Sequence, residues 1–302
     1  MMNLLITGAA RLEAEQLDSL RAAGHRVWFL QNEQEPLPVS PEQIQGVVCN
    51  GLFLHHDLNA FPNLRYIQLT SAGYDRVPLG EIQRRGITIH NARGVYSVPM
   101  AEYAVSGVLL LYKQWAHFQA NQKNRGWQKH RGLLELSGKR VCIVGCGDVG
   151  TACARRFAAF GCRITGVNRT VRNHPDFDKI YSISELSDAV SQADILVLTL
   201  PLTEQTRHLI GDKELAALPD GGVVVNIARG GIVDTDALIG QLWTKRICGV
   251  LDVFEEEPLP ENSPLWELPN VILTPHNSFV GEGNGQRLWA LIQKNLAEAE
   301  KK

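Results

Sequence analysis

The sequence predicts an α/β protein built on parallel sheets. Short apolar, β-branched runs alternate with helical patterns along the chain, as expected of repeated strand–helix–strand units. One glycine-rich turn falls between such a run and a helical pattern. The length of 302 residues adds a third observation, since a chain of that size usually holds about two domains.

Taken in order, Leu4-Leu5-Ile6 reads as the first strand, and Arg11 to Ala23 as a helix closed by Gly24. Val27 to Leu30, Val47 to Cys49, Tyr66 to Leu69 and Ile87 to Ile89 read as further buried strands. Ser97 to about Gln122 reads as one long helix with Pro99 in its first turn, where a missing N–H costs little. At 1.5 Å per residue it would run roughly 40 Å, longer than a small domain, so it is expected to connect two domains. A second α/β series begins at Lys139. Its strands are expected at Val141–Val144, Arg163–Val167, Ile195–Thr199, Val223–Asn226, Cys248–Leu251 and Val271–Leu273, with helical patterns between most of them. A final helix is expected over Gln286 to Ala299.

Composition narrows the function classes. Hydrophobic residues are 44% and charged residues 21%, as in an ordinary globular chain, which excludes a disordered, collagen-like or coiled-coil protein. The net charge is -2 and no basic stripe is visible, so no nucleic-acid partner is expected. The longest apolar run, Ala104 to Tyr112, falls short of the roughly 18 residues a membrane span needs. Met1 to Thr7 lacks the features of a signal peptide. Six cysteines without a CxxC pair read as reduced thiols, with no metal site and a cytoplasmic location expected.

Gly145-Cys146-Gly147-Asp148-Val149-Gly150 is GxGxxG, following the strand Val141–Val144 and opening the helical pattern Thr151 to Phe160. That context is what a dinucleotide fingerprint requires. Gly145 allows the tight turn, Gly147 lets backbone approach a pyrophosphate, and Gly150 lets helix and strand pack closely. About 20 residues on, where NAD-binding proteins carry a carboxylate for the ribose hydroxyls, the chain reads Val167-Asn168-Arg169-Thr170. With no carboxylate to repel a 2′-phosphate, and with Arg169 placed to grip one beside Thr170 and Arg172, NADP(H) is expected over NAD(H), which stays possible.

Three polar residues follow three strands: Arg229 after Val223–Asn226, Glu257 after Cys248–Leu251, and His276 after Val271–Leu273. Ligands of open α/β sheets bind beyond the carboxyl ends of the strands, so these three are expected to converge. The set suits reduction of a 2-keto acid. Arg229 can fork onto the carboxylate. His276 can donate a proton to the carbonyl oxygen as hydride reaches the carbon. Glu257 can orient the imidazole and favour its charged form.

These motifs resemble the D-2-hydroxyacid dehydrogenase family, in particular its glyoxylate/hydroxypyruvate reductase-like members, over about Val47 to Ser278. Asn226-Ile227-Ala228-Arg229-Gly230-Gly231-Ile232-Val233-Asp234 resembles NxARGxxVD, and Asp252-Val253-Phe254-Glu255-Glu256-Glu257-Pro258 resembles DVFxxEP. Thr274-Pro275-His276 resembles TPH. Leu200-Pro201-Leu202-Thr203-Glu204-Gln205-Thr206 resembles PLTxxT, and Ser71-Ala72-Gly73-Tyr74-Asp75 resembles SAGxD. The resemblance implies two doubly wound parallel-sheet domains, a Rossmann cofactor domain plus a flavodoxin-like substrate domain, with a cleft between. The substrate domain would span 1–95, with 282–302 returning to it, and the dinucleotide-binding domain 96–281. The resemblance also implies that Leu200, Pro201, Thr206, Ile227, Ala228 and Asp252 lie beside the cofactor. Asn50, Gly51, Ser71, Ala72 and Gly73 would help hold the substrate carboxylate. A homodimer through the cofactor domain is implied as well.

Three readings stay beside the small-keto-acid reductase. One is a reductase for bulkier 2-keto acids, suggested by Leu52 and Phe53. Another is an NAD-dependent phosphoglycerate dehydrogenase-like enzyme, disfavoured because Cys49-Asn50-Gly51-Leu52-Phe53 lacks phosphate-gripping arginines. The third is a dinucleotide-sensing, corepressor-like binding protein. Glu257, where a formate dehydrogenase would pair its histidine with glutamine, disfavours that enzyme. Asn277-Ser278 replaces the small residue and glycine more common in the family after the histidine.

Overall fold

The computed structural model describes residues 1–299. The chain divides into two compact units, one of residues 1–96 with the segment from 281 onward, the other of residues 97–280. In the first unit the elements run β1 (Asn3–Thr7), α1 (Ala14–Ala22), β2 (Arg26–Leu30), β3 (Gly46–Cys49), β4 (Tyr66–Leu69), α2 (Leu79–Arg84) and β5 (Thr88–His90). All strand pairs are parallel, in the order β2-β1-β3-β4-β5, which is the flavodoxin-like doubly wound order. β3 and β4 are buried along their whole length, as strands covered on both faces must be. Leu5, Val47, Ile67 and Phe61 fill one side of the sheet, and Leu4, Ile6, Val48 and Tyr66 the other. Each fully buried side chain of this size stabilises the unit by roughly 1.5–3 kcal/mol.

The second unit runs α3 (Ser97–Tyr112), α4 (Trp115–Lys123), β6 (Arg140–Val144), α5 (Asp148–Ala159), β7 (Arg163–Asn168), β8 (Lys179–Ser182), α6 (Leu186–Ser191) and β9 (Ile195–Leu198). It continues through α7 (Asp212–Ala217), β10 (Val223–Asn226), α8 (Thr235–Trp243), β11 (Cys248–Leu251) and β12 (Val271–Leu273). Its seven strands are parallel in the order β12-β11-β10-β9-β6-β7-β8. Counted from β6 this is 3-2-1-4-5-6 with one strand added, the dinucleotide-binding order. Val144, Leu196 and Val224 bury on one face of the sheet, and Val141, Val197 and Val225 on the other, where α3 and α5 pack. Helix α9 (Asn284–Ala299) returns to the first unit and buries Leu288, Ile292 and Leu296 there.

Two expectations need correction. The single helix from Ser97 to about Gln122 is two helices, α3 and α4, broken where Gln114 takes φ 53°. No Gly or Pro marks the break. The Tyr112 carbonyl accepts the Leu134 N–H at 3.1 Å instead of continuing the helical ladder, so a distant segment ends α3. The edge strand β8 has no counterpart in the sequence reading, because only Tyr181 of Lys179–Ser182 is buried. Among the described residues, no helix is long and apolar enough to cross a membrane. Nor is any group of three His, Cys, Asp or Glu side chains placed to hold a metal ion.

Candidate active site

The second unit's glycine-rich turn is built by close approach. A Cβ on Gly150 would collide with the Gly145 carbonyl, and one on Gly145 would press on the Thr199 and Leu200 backbone at 3.0 Å. Thr199, at the end of β9, donates its hydroxyl to the Gly145 carbonyl at 2.7 Å and braces the turn from the neighbouring strand. At Gly147 a Cβ would meet nothing within 4 Å, so the space above the backbone is open. Asp148 and Val149 begin α5, whose first-turn N–H groups have no intrahelical acceptor and whose dipole favours an anion. The turn therefore fits the pyrophosphate of a dinucleotide.

Asn168 is the last residue of β7, and its side-chain amide donates to the Thr170 carbonyl at 3.2 Å. Arg169 and Thr170 are exposed, and among the described residues no carboxylate pairs with Arg169 or Arg172. The loop after β9 closes on itself. The Thr206 hydroxyl donates to the Pro201 carbonyl and accepts the Thr203 N–H, both at 2.7 Å, which fixes Leu200 and Pro201 at the strand end. Ile227 and Ala228 are buried, 1% and 6% exposed.

Arg229, Glu257 and His276 lie in the loops leaving the adjacent strands β10, β11 and β12. Asn226 shapes the first loop, its side chain accepting the Ala228 N–H and donating to the Arg229 carbonyl, both at 3.1 Å. The Arg229 guanidinium donates to the Ala228 carbonyl at 2.7 Å. A Cβ on Gly230 would collide with the Phe254 backbone, so only glycine lets the Arg229 loop lie directly on the Glu257 loop. Glu257 accepts the Phe254 N–H at 3.0 Å with one oxygen and faces His276 Nδ1 at 2.8 Å with the other. With Nδ1–H donating to Glu257, Nε2 is left to serve a ligand, and it has no partner among the described residues. Phe279 packs edge-on against the imidazole, with centroids 6.0 Å apart.

Asp252 is fully buried, and both its oxygens organise the histidine loop. Oδ1 accepts the Thr274 hydroxyl at 2.6 Å and the Asn277 N–H at 2.7 Å; Oδ2 accepts the Ser278 N–H at 2.9 Å. The Asp252 carbonyl also accepts the His276 N–H at 2.7 Å. Sequence reading placed Asp252 beside the cofactor; the structure places its carboxylate under the loop that carries His276. Tyr103 on α3 extends the chain, its hydroxyl bonded to the Thr274 hydroxyl. Burial raises the Tyr103 phenol above its ordinary range. Nothing in the local sequence marked Tyr103, Asn226 or Thr199 as parts of this framework.

In the first unit, the turn Ser71-Ala72-Gly73 follows β4. Four successive carbonyls there are engaged. Thr70 accepts the Tyr96 hydroxyl, Ser71 the Ala92 N–H, Ala72 the Asn91 amide and Gly73 the Ser71 hydroxyl. The N–H groups of Ser71, Ala72 and Gly73 have no acceptor among the described residues. A turn with its carbonyls tied back and its N–H groups unpaired is a ready anion site. The loop after β3 differs. The N–H groups of Asn50 and Gly51 are already donated to the Glu33 carboxylate, at 2.7 and 2.6 Å. These are the N–H groups expected to help hold a substrate carboxylate, and in this structure Glu33 occupies them.

Comparison with known proteins is consistent with this geometry. Residues 105–278 match the D-isomer specific 2-hydroxyacid dehydrogenase family, NAD binding domain. The chain is 35% identical over 245 residues to a glyoxylate reductase of Thermococcus gammatolerans, covering 78% of this chain and 73% of that protein. It is 37% identical over 230 residues to a glyoxylate/hydroxypyruvate reductase A of Arabidopsis thaliana, covering 75% and 71%. Among solved structures, a D-isomer specific 2-hydroxyacid dehydrogenase of Xanthobacter autotrophicus Py2 in complex with NADPH and MES is similar. It superposes with a TM-score of 0.82 at 28% identity, over 100% of this chain and 96% of that one.

Proposed function

The chain belongs to the D-isomer specific 2-hydroxyacid dehydrogenases, which are NAD(P)-dependent oxidoreductases, and from that premise we propose that it reduces small 2-keto acids, glyoxylate or hydroxypyruvate, to the D-2-hydroxy acid with NADPH. The observation that carries the reading is the 2.8 Å pairing of His276 with Glu257, in a loop against which the Arg229 loop packs without a side chain between.

When bound, the nicotinamide supplies the hydride. The chain's own residues do the rest. The Arg229 guanidinium grips the substrate carboxylate; in the first unit, the N–H groups of Ser71, Ala72 and Gly73, without an acceptor among the described residues, are proposed as a substrate-anion site. His276 delivers a proton from Nε2 to the carbonyl oxygen as charge develops there. Glu257 holds the ring through Nδ1 and leaves Nε2 facing the ligand side. Because reduction consumes a proton, the equilibrium moves toward oxidation of the hydroxy acid as pH rises. The residues 1–96 unit is proposed as the substrate domain and residues 97–280 as the cofactor domain.

The exposed Arg169, unpaired with any carboxylate among the described residues, supports a preference for the 2′-phosphate of NADP(H). The six free cysteines fit a reducing, cytoplasmic setting. The partner proposed is a second copy of the chain. Trp127 is 95% exposed, and Trp115, Leu133 and Leu134 are exposed with it, an apolar segment that a homodimer through the cofactor domain would cover.

The test is a panel of 2-keto acids run with both reduced cofactors. We expect consumption of NADPH with glyoxylate and hydroxypyruvate, and a higher kcat/KM for NADPH than for NADH. No turnover across the panel would reject the activity; a preference for NADH would reject the role given to Arg169.

A further inference from the structure

We infer that Glu33, seated on the N–H groups of Asn50 and Gly51, sets substrate specificity by excluding 2-keto acids that carry a second anionic group and favouring those whose tail is neutral and offers a hydrogen-bond donor. This rests on the activity proposed above and goes beyond it, since nothing in that reading assigns Glu33.

The carboxylate is held as an anion would be. One oxygen accepts the Thr7 hydroxyl and the Asn50 N–H, both at 2.7 Å; the other accepts the Gly51 N–H at 2.6 Å. His56 Nε2 meets the Glu33 carbonyl at 3.0 Å and fixes its backbone. The loop it occupies leaves β3, directly beside the 71–73 turn that leaves β4. Thr70 donates its N–H to the Cys49 carbonyl at 2.8 Å, so the two loops start about 5 Å apart, the spacing of paired strands. Either loop by itself could receive an anion on paired N–H groups. In this chain one is kept for the substrate carboxylate and the other is filled by an internal one.

One cation stands near Glu33: a Cβ on Gly51 would meet Glu33 Oε2 at 3.5 Å and Arg76 Cδ at 3.8 Å. A cavity of about 530 Å³ opens beside Glu33 and is also bounded by Gln31, Asn32, Gln34, Glu35 and His55. Two carboxylates and no Lys or Arg line it among the described residues. Asn50 Oδ1 is buried and accepts from no donor among the described residues. A keto acid anchored on the 71–73 turn with its tail toward β3 thus meets acceptors. A hydroxyl on that tail can be satisfied there. A second carboxylate or a phosphate finds the Asn50 and Gly51 N–H groups already taken by Glu33, and the lost charge-assisted hydrogen bonds discriminate by about 10-fold or more. Phosphorylated substrates are refused here by an occupied site.

The experiment compares wild type with Glu33→Ala and with the isosteric Glu33→Gln, which keeps the packing if the alanine variant fails to fold. The kinetic readout is the ratio of kcat/KM for oxaloacetate to that for hydroxypyruvate. It is expected to rise about 10-fold or more in the variants. The second readout needs no turnover: inorganic phosphate is titrated while the backbone amide resonances of Asn50 and Gly51 are followed by NMR. They should stay put in wild type and shift saturably once Glu33 is removed. An unchanged ratio, or amides that respond alike in wild type and variants, overturns the assignment. If wild type reduces neither keto acid, the activity reading fails, and the phosphate titration alone decides the role of Glu33.

Discussion

His276 has φ 49°, a left-handed conformation that non-glycine residues hold only where their surroundings impose it. Here the surroundings are identifiable. The buried Asp252 carboxylate gathers the Thr274 hydroxyl and the N–H groups of Asn277 and Ser278, and its own carbonyl takes the His276 N–H. Asp252→Asn is expected to replace an acceptor oxygen with an NH₂ group facing N–H donors. That should cost on the order of 2–3 kcal/mol in stability and lower kcat, with Glu257 still present to pair the ring. Thermal unfolding and glyoxylate kinetics check both halves; unchanged kcat would show that the histidine loop keeps its shape without this carboxylate. Arg229, Glu257 and His276 stood out in the sequence as candidates, because each follows an apolar strand. Glu33 did not. In Gln31-Asn32-Glu33-Gln34-Glu35 a carboxylate looks like any solvated charge, and only folding brings the Asn50 and Gly51 N–H groups to it.

Among the elements, the central strands were legible because parallel strands covered on both faces demand continuous apolar runs, as in Val223–Asn226 and Ile195–Leu198. Elements decided by tertiary partners were not, as the end of α3 at the Leu134 N–H and the half-exposed β8 show. The loops around the site are tied in a way that sequence does not display. Glu255 accepts the Thr235 N–H and hydroxyl with one oxygen and meets His208 Nε2 at 2.8 Å with the other. These contacts link the loop after β9, the start of α8 and the loop carrying Glu257. Burial pushes the Glu255 carboxyl up, but the hydrogen bonds from Thr235 and His208 outweigh it and hold the group below its ordinary value of 4.5. A depressed carboxyl contributes stability that is present above its unfolded value and is lost as pH falls through its folded one. Wild type is therefore expected to lose stability faster than Glu255→Gln as pH drops below about 4.5, with Glu255→Gln less stable at neutral pH. Parallel unfolding curves for the two proteins across that range would contradict the tie.

At the scale of the whole molecule, both units share one architecture, and each presents polar loops at the carboxyl ends of its strands. The second unit carries the dinucleotide turn and the Arg229, Glu257 and His276 loops; the first carries the 71–73 turn and Glu33. The most direct measurement is glyoxylate reduction with NADPH by wild type, His276→Ala and Arg229→Ala side by side. The account predicts that His276→Ala loses about 100-fold or more in kcat, because the proton donor is gone. Arg229→Ala should lose about 30- to 1000-fold in kcat/KM, the equivalent of about 2–4 kcal/mol of charge-assisted contact. Wild-type kinetics in either variant would contradict it.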